Sequence, residues 1–314
     1  MHNPHKIEKN ELELETGSLF SSLWHEYDDA EFKHSVELFE RRLKLIGEPL
    51  NSIKDGKVLD AGCGGGRNSI ALKLAGAKNV VGVDIGIDGL KDASKRVQKL
   101  DLSRDIEFLP ASIQNLPFQD NEFDVVWCAG VLMIVENESV ALDELLRVLK
   151  PGGVLYLLVY ASGGMRWPLI SLLRPICANI GIEEIETAIK LSNQNAASRR
   201  TFLDDLFCPK LDFYSWERLE RMLTNRNVKS ITRLGSEVRL DHEASIEDYL
   251  FDLERLFLIF DSGSKAQLHP LFEECSEIVK HTINAIEKLN SVNLNANQLG
   301  QVIGMGHHRV IIQK

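Results

Sequence analysis

No stretch of the 314-residue chain approaches 18 uninterrupted apolar residues, so the sequence offers no membrane-spanning helix. Cysteine is sparse: five residues, at 63, 128, 177, 208 and 275, odd in number and without a C-x-x-C pair. That spacing supports neither a metal site nor a disulfide framework, and it suits small buried thiols in a reducing cytosol. Basic charge is short as well, with 36 Lys and Arg against 46 Asp and Glu, a net of −10. A net-acidic chain is poorly suited to tracking a phosphate backbone, so nucleic acid is not expected as a partner. The opening MHNPHKIEKNELELE lacks an apolar h-region, so no signal peptide is expected and the expected location is cytoplasmic. Internal repeats and low-complexity tracts are missing too.

What is present is a hydrophobic fraction of 44%, enough for a buried core, in a length that suits about two domains at roughly 150 residues each. Residues 1–18 are charged and aperiodic and read as a loose tail; 19–47 carry apolar residues at helical spacing, from Phe20 and Leu23 to Leu43 and Leu45. From 57 to 160, short β-type runs alternate with helical ones. Strands are expected at 57–60, 80–83, 106–109, 123–127 and 154–160, and helices at 67–75, 90–100 and 139–149. Such alternation implies βαβ units and a parallel sheet covered on both faces. Residues 161–210, with Gly163-Gly164, Pro168 and Pro175, read as an irregular, mostly helical insertion. A helix at 216–223 and a strand at 228–234 follow, then helical sequence over 243–290 and a last strand at 309–312.

The segment that points to chemistry is Val58-Leu59-Asp60-Ala61-Gly62-Cys63-Gly64-Gly65-Gly66-Arg67, where a strand ends, glycines turn the chain and a helix begins. Glycine permits φ > 0 and close approach of a ligand, and a helix N-terminus presents free N–H groups to an anion. The dinucleotide pattern G-x-G-x-x-G fails from either start, because its third glycine falls on Arg67 or on Ser69. A P-loop fails for want of Gly-Lys-Ser/Thr. The pattern is D-x-G-x-G-x-G, whose acid would repel a pyrophosphate. Asp60 either meets an ammonium group or braces the glycine turn. Asp84 ends the second strand, 24 residues after Asp60, where a carboxylate can grip two ribose hydroxyls.

With these residues in view, the chain resembles the class I S-adenosylmethionine-dependent methyltransferases. Five motifs carry the resemblance in order: the glycine segment, Gly82-Val83-Asp84, Asn115-Leu116-Pro117-Phe118, Phe123-Asp124-Val125-Val126, and Leu146-Arg147-Val148-Leu149-Lys150-Pro151-Gly152-Gly153. The implied fold is α/β, a Rossmann-like seven-stranded, mostly parallel sheet with an antiparallel last strand, plus helical insertions. The implied organisation is an N-terminal helical cap over 1–50, a cofactor-binding core over 51–160, a helical substrate lid over 161–210, the end of the core sheet in 211–242 and 305–314, and a helical insertion over 243–304.

The implied cofactor is S-adenosyl-L-methionine, giving S-adenosyl-L-homocysteine as product. By resemblance, Gly62, Cys63 and Gly64 contact its methionyl part, and Asp60 orients that turn or the ammonium. Asp84 holds the ribose, Ile85 packs on the adenine, Ser112 and Ile113 sit by the adenine amine, and Cys128 approaches by its backbone. Many relatives have Asp where this chain has Ser112, and Val-Leu-His-His where it has Val131-Leu132-Met133-Ile134. No histidine is therefore offered there as a base. Candidate catalytic residues are His25, Tyr27 and Tyr214; Tyr27 is the expected partner of the methionyl carboxylate. Arg166-Trp167-Pro168 and Arg199-Arg200 could meet an anionic substrate, and His307-His308 reads as a solvated pair without a third metal ligand.

The function implied is methyl transfer to an oxygen or nitrogen of a small-molecule acceptor. The alternatives are a protein or nucleic-acid methyltransferase, and a non-catalytic module of the same fold. The 243–304 insertion is also a natural contact for a homodimer.

Overall fold

The computed structural model describes residues 11–25, 29–194, 196–235, 246–304 and 306–314. The described chain falls into two compact units. One comprises Met1–Tyr160, Pro209–Leu240 and His307–Lys314, the other Ala161–Cys208 and Asp241–Gly306.

The first unit is built on a seven-stranded sheet. Its strands are β1 (Lys57–Ala61), β2 (Asn79–Asp84), β3 (Ile106–Pro110), β4 (Phe123–Ala129), β5 (Leu149–Tyr160), β6 (Ser230–Arg233) and β7 (His307–Gln313), in the order β3-β2-β1-β4-β5-β7-β6. β1 to β5 pair in parallel, while β7 runs antiparallel to both β5 and β6. The parallel sheet expected from the alternating pattern is thus present, and so is the Rossmann-like arrangement with an antiparallel last strand that the resemblance implies. Its helices are α1 (Glu11–His25), α2 (Asp29–Ile46), α3 (Arg67–Leu74), α4 (Ile87–Lys99), α5 (Glu138–Val148) and α9 (Trp216–Thr224).

Alternation along each strand sorts side chains to the two faces of the sheet. On β1, Leu59 and Ala61 join one buried cluster and Val58 the other; on β4, Val126 and Cys128 part in the same way from Val125 and Trp127. Trp127 and Tyr156 stack with ring centroids 3.6 Å apart, and Phe39 meets Trp127 edge-on at 4.9 Å. Phe39 belongs to the stripe Phe32, Val36, Phe39, Leu43 and Ile46, whose steps of three and four residues put it on one face of α2.

The second unit is helical: α6 (Arg166–Ile180), α7 (Ile182–Leu191), α8 (Ala196–Phe207), α10 (Ile246–Lys265), α11 (Leu271–Asn290) and α12 (Ala296–Ile303). α10 packs against α11 and α7, and α6 against α8. Pro175 lies inside α6 rather than ending it. One face of that helix buries Leu169, Ile170, Leu173, Cys177 and Ile180, and burial of that stripe outweighs one lost backbone bond.

Three local expectations change. Residues 11–18 are the start of α1, not a loose tail. β5 begins at Leu149 and so takes in Pro151-Gly152-Gly153, because Phe123 pairs with Leu149 before a register shift reaches the Val125–Val154 pair. His308 is 3% exposed, its ring packed edge-on against Trp216 at 5.8 Å, so it is no solvated residue.

Candidate functional site

Parallel βαβ sheets leave a crevice beyond the carboxyl ends of their strands where the strand order reverses. Here the reversal lies between β1 and β4. A crevice of about 100 Å³ opens there, lined by residues following β1, β2, β3 and β4 and by α1.

The glycine bend forms its first wall. Gly62, Gly64 and Gly66 have φ of 82°, 51° and 82°, the left-handed region that side chains disfavour. Space is short as well: a Cβ on Gly62 would stand 2.2 Å from Cγ2 of Val131, and one on Gly66 2.8 Å from Cβ of Ala93. Gly62→Ala should therefore destabilise the protein by about 2–3 kcal/mol, read as a lower denaturation midpoint. An unchanged midpoint would show that the bend tolerates a side chain.

The N–H groups of the bend are already used. Those of Gly62 and Cys63 donate to the Val83 carbonyl at 2.8 and 2.9 Å, and that of Gly64 to Asp84 Oδ2 at 2.8 Å. What the bend leaves for a ligand is carbonyl oxygen and the first-turn N–H groups of α3, which lack intrahelical acceptors. Arg67 and Asn68 of that turn line the crevice.

Asp84 ties the bend to the next loop. Its Oδ1 accepts from Gly86 N at 2.7 Å while Oδ2 accepts from Gly64 N. A carboxylate can accept several hydrogen bonds at once, and Asp84 also lines the crevice.

Asp60 stands behind the bend and does not line the crevice. It is 1% exposed; Oδ2 accepts from Ser69 Oγ at 2.6 Å, and Oδ1 has no hydrogen-bond partner among the described residues. Burial, with the nearby Asp84 charge, pushes its carboxyl up to about 7 despite the Ser69 hydrogen bond. An orphaned carboxylate oxygen beside a ligand crevice is a place for positive charge.

The opposite wall carries Ile85, Ala111, Ser112 and Ile113. Glu13 of α1, which sequence reasoning placed in a tail, reaches this wall. Its Oε1 accepts from Ser112 Oγ and, at 3.1 Å, from Gln114 Nε2. A carboxylate thus stands beside Ser112 after all, supplied from 99 residues away. No local signal announces that contact; only the helical spacing of α1 could have hinted at it.

The third wall is apolar. Val131, Ile134 and Val135 face the crevice, while Leu132 and Met133 turn into the core. The four residues noted for lacking histidine thus divide between crevice and core.

Besides Asp60, two expected site residues lie off the crevice. Cys128 is fully buried and off the crevice, which Ala129, Gly130 and Val131 line instead. Strand alternation turns its thiol into the apolar core, where burial pushes it up to about 12. Tyr214 is also fully buried and does not reach the crevice. Its hydroxyl donates to Glu138 Oε2, and Arg218, ion-paired with Glu138 at 2.6 Å, lies over its ring at 4.5 Å. Burial and that carboxylate hold the Tyr214 phenol well above its ordinary value, a structural role rather than a basic one. The side chain of His25, and Tyr27 altogether, lie outside the described residues. Gly62, Cys63, Gly64, Asp84, Ile85, Ser112 and Ile113 are brought together around one crevice.

Comparison with known proteins agrees with this geometry. Residues 59–157 match the family model described as methyltransferase domain. The chain is 34% identical over 155 residues to a ubiquinone biosynthesis O-methyltransferase of Idiomarina loihiensis, covering 48% of this chain and 62% of that protein. It is 30% identical over 156 residues to the 27-O-demethylrifamycin SV methyltransferase of Amycolatopsis mediterranei, covering 47% and 57% respectively. The chain thus spans about three fifths of the length of the curated relatives it matches. A solved structure from Galdieria sulphuraria, provisionally described as a sarcosine dimethylglycine methyltransferase, shares the fold. Its TM-score is 0.52 at 12% identity, over 95% of this chain and 96% of that one. Residues 59–157 are thus a methyltransferase domain, of the class I S-adenosylmethionine-dependent kind.

Proposed function

We propose that the protein transfers a methyl group from S-adenosyl-L-methionine to an oxygen or nitrogen of a small molecule. The observation that carries the reading is Asp84, a carboxylate that spans two loops and lines the switch-point crevice at the tip of β2. The names of the relatives, two of them small-molecule methyltransferases, support it.

The residues present fit the donor. Its carboxylate end suits the α3 N-terminus, its ammonium suits the side of the bend where Asp60 keeps an orphaned oxygen, and its sugar diol suits Asp84. Ile85 and Ile113 offer apolar surface to a base, with Ser112 and Glu13 as acceptors for its amine. When bound, the donor supplies a methyl group made electrophilic by an adjacent sulfonium.

The chain then has to align a nucleophile and keep water away. Val131, Ile134 and Val135 form the dry wall for that task. Holding two reactants in attack geometry can lower a barrier by about 7–11 kcal/mol, so a dedicated base is not a requirement. Cys63 is no nucleophile: burial and two nearby carboxylates push its thiol well up and keep it protonated.

A calorimetric titration with S-adenosylhomocysteine tests the reading. One site of micromolar affinity and a raised melting temperature are expected. No heat and no thermal shift at millimolar ligand would end it.

A further inference from the structure

The helical unit has a cavity of its own, about 160 Å³, between α6, α8 and α10. Leucine and isoleucine side chains of α6 and α10 supply its apolar surface, and Phe202 an aromatic one. A cavity of roughly 150 Å³ lined by such residues is large enough for a benzene ring.

Its polar groups narrow the occupant. Tyr249 is 4% exposed, and its hydroxyl has no hydrogen-bond partner among the described residues. A native buried hydroxyl without a partner calls for an occupant that supplies one. Burial pushes this phenol up to about 12, so it keeps its proton at neutral pH and can donate. Around it stand two cations and two carboxylates. Arg166 Nη1 lies 3.3 Å from Asp252 Oδ2. The Arg255 guanidinium lies 6.0 Å from the Phe202 ring, and Asp205 is 4% exposed.

These charges balance, so a ligand carboxylate or ammonium would meet repulsion as well as attraction there and would still pay for leaving water. A plain hydrocarbon would leave the Tyr249 hydroxyl unmet. A neutral ring bearing a hydroxyl escapes all three penalties, because it accepts from Tyr249 and can donate to a carboxylate.

We propose that the helical unit binds one neutral, ring-bearing hydroxyl compound of the phenol class, its oxygen accepting the Tyr249 proton. The pocket is separate from the crevice at Asp84, and the inference does not depend on the methyl-transfer reading.

The test is calorimetric titration of the full chain with 4-methylphenol, toluene, benzoate and benzylamine. One molecule of 4-methylphenol should bind, and the other three at least about tenfold more weakly. Tyr249→Phe should weaken 4-methylphenol about tenfold and leave toluene unchanged. Asp84→Ala should leave 4-methylphenol binding intact, which separates this pocket from the crevice. Four results would overturn the proposal: no binding of 4-methylphenol by the unaltered chain, equal binding of benzoate or benzylamine, no effect of Tyr249→Phe, or loss of 4-methylphenol binding in Asp84→Ala.

Discussion

Replacing Asp84 by Ala should weaken S-adenosylhomocysteine binding about a hundredfold or more. Two charge-assisted hydrogen bonds to a ligand diol, at roughly 1.5–3 kcal/mol each, would go at once. The loss reaches further than direct contact. Gly64 N and Gly86 N would both lose their acceptor, so the bend and the following loop would no longer be tied together. Asp84→Asn separates these effects. One amide oxygen can still serve one of the two N–H groups, so Asn should recover stability more fully than affinity. Calorimetry for affinity and denaturant melts for stability read the two independently. Wild-type affinity in Asp84→Ala would show that the ligand sits elsewhere.

Asp60→Asn should make the protein more stable at pH 8 and do little at pH 4. The carboxyl titrates near 3.8 when exposed and at about 7 when folded. An acid whose folded value is raised binds more protons in the folded state between those two values, so stability falls as pH rises through that window and stays reduced above it. At about 1.4 kcal/mol per unit, the ionised Asp60 costs on the order of 4 kcal/mol above pH 7. The amide removes that charge and keeps an acceptor for Ser69.

His308 titrates in the opposite sense. Its Nε2–H donates to the Tyr214 carbonyl at 2.9 Å, and burial, with Arg233 nearby, lowers it from 6.5 to about 4. A base with a lowered folded value stabilises above 6.5 and loses that contribution as pH falls toward 4, here on the order of 3 kcal/mol. In the wild type the two groups offset each other between pH 4 and 6.5. Asp60→Asn should uncover the His308 decline, giving a melting temperature that drops steadily on acidification. A variant profile parallel to that of the wild type would refute the assignment to Asp60. The same substitution should lower affinity for an ammonium-bearing ligand, since the orphaned oxygen would lose its charge.

Much of this is legible in the amino-acid sequence. The alternation of β-type and helical runs from 57 to 160 is a local property of the chain, and the strands formed within one to two residues of their expected starts, except β5. β5 began early because its pairing with Phe123 is a long-range matter. The helix Ile182–Leu191 lies within the stretch expected to be mostly helical. α6 ran through Pro175 because tertiary burial outweighed a local breaker. Of the expected site residues, those on the bend and at the tip of β2 met around one crevice. Cys128, expected to approach by its backbone, and Tyr214 do not line it, since which residues at a strand or helix end meet a crevice depends on what packs around them.

From residue order alone came the sheet and the glycine bend. Strand periodicity and the demand for positive φ are written into neighbouring residues, and Asp84 follows from its place at the end of a strand. Only the tertiary structure brought Glu13 to Ser112, buried Tyr214 on Glu138, left Asp60 with an unmet oxygen, and closed α6, α8 and α10 around a cavity. Each of those joins residues far apart in the chain, and burial, which sets their charges and partners, is a property of the packed whole.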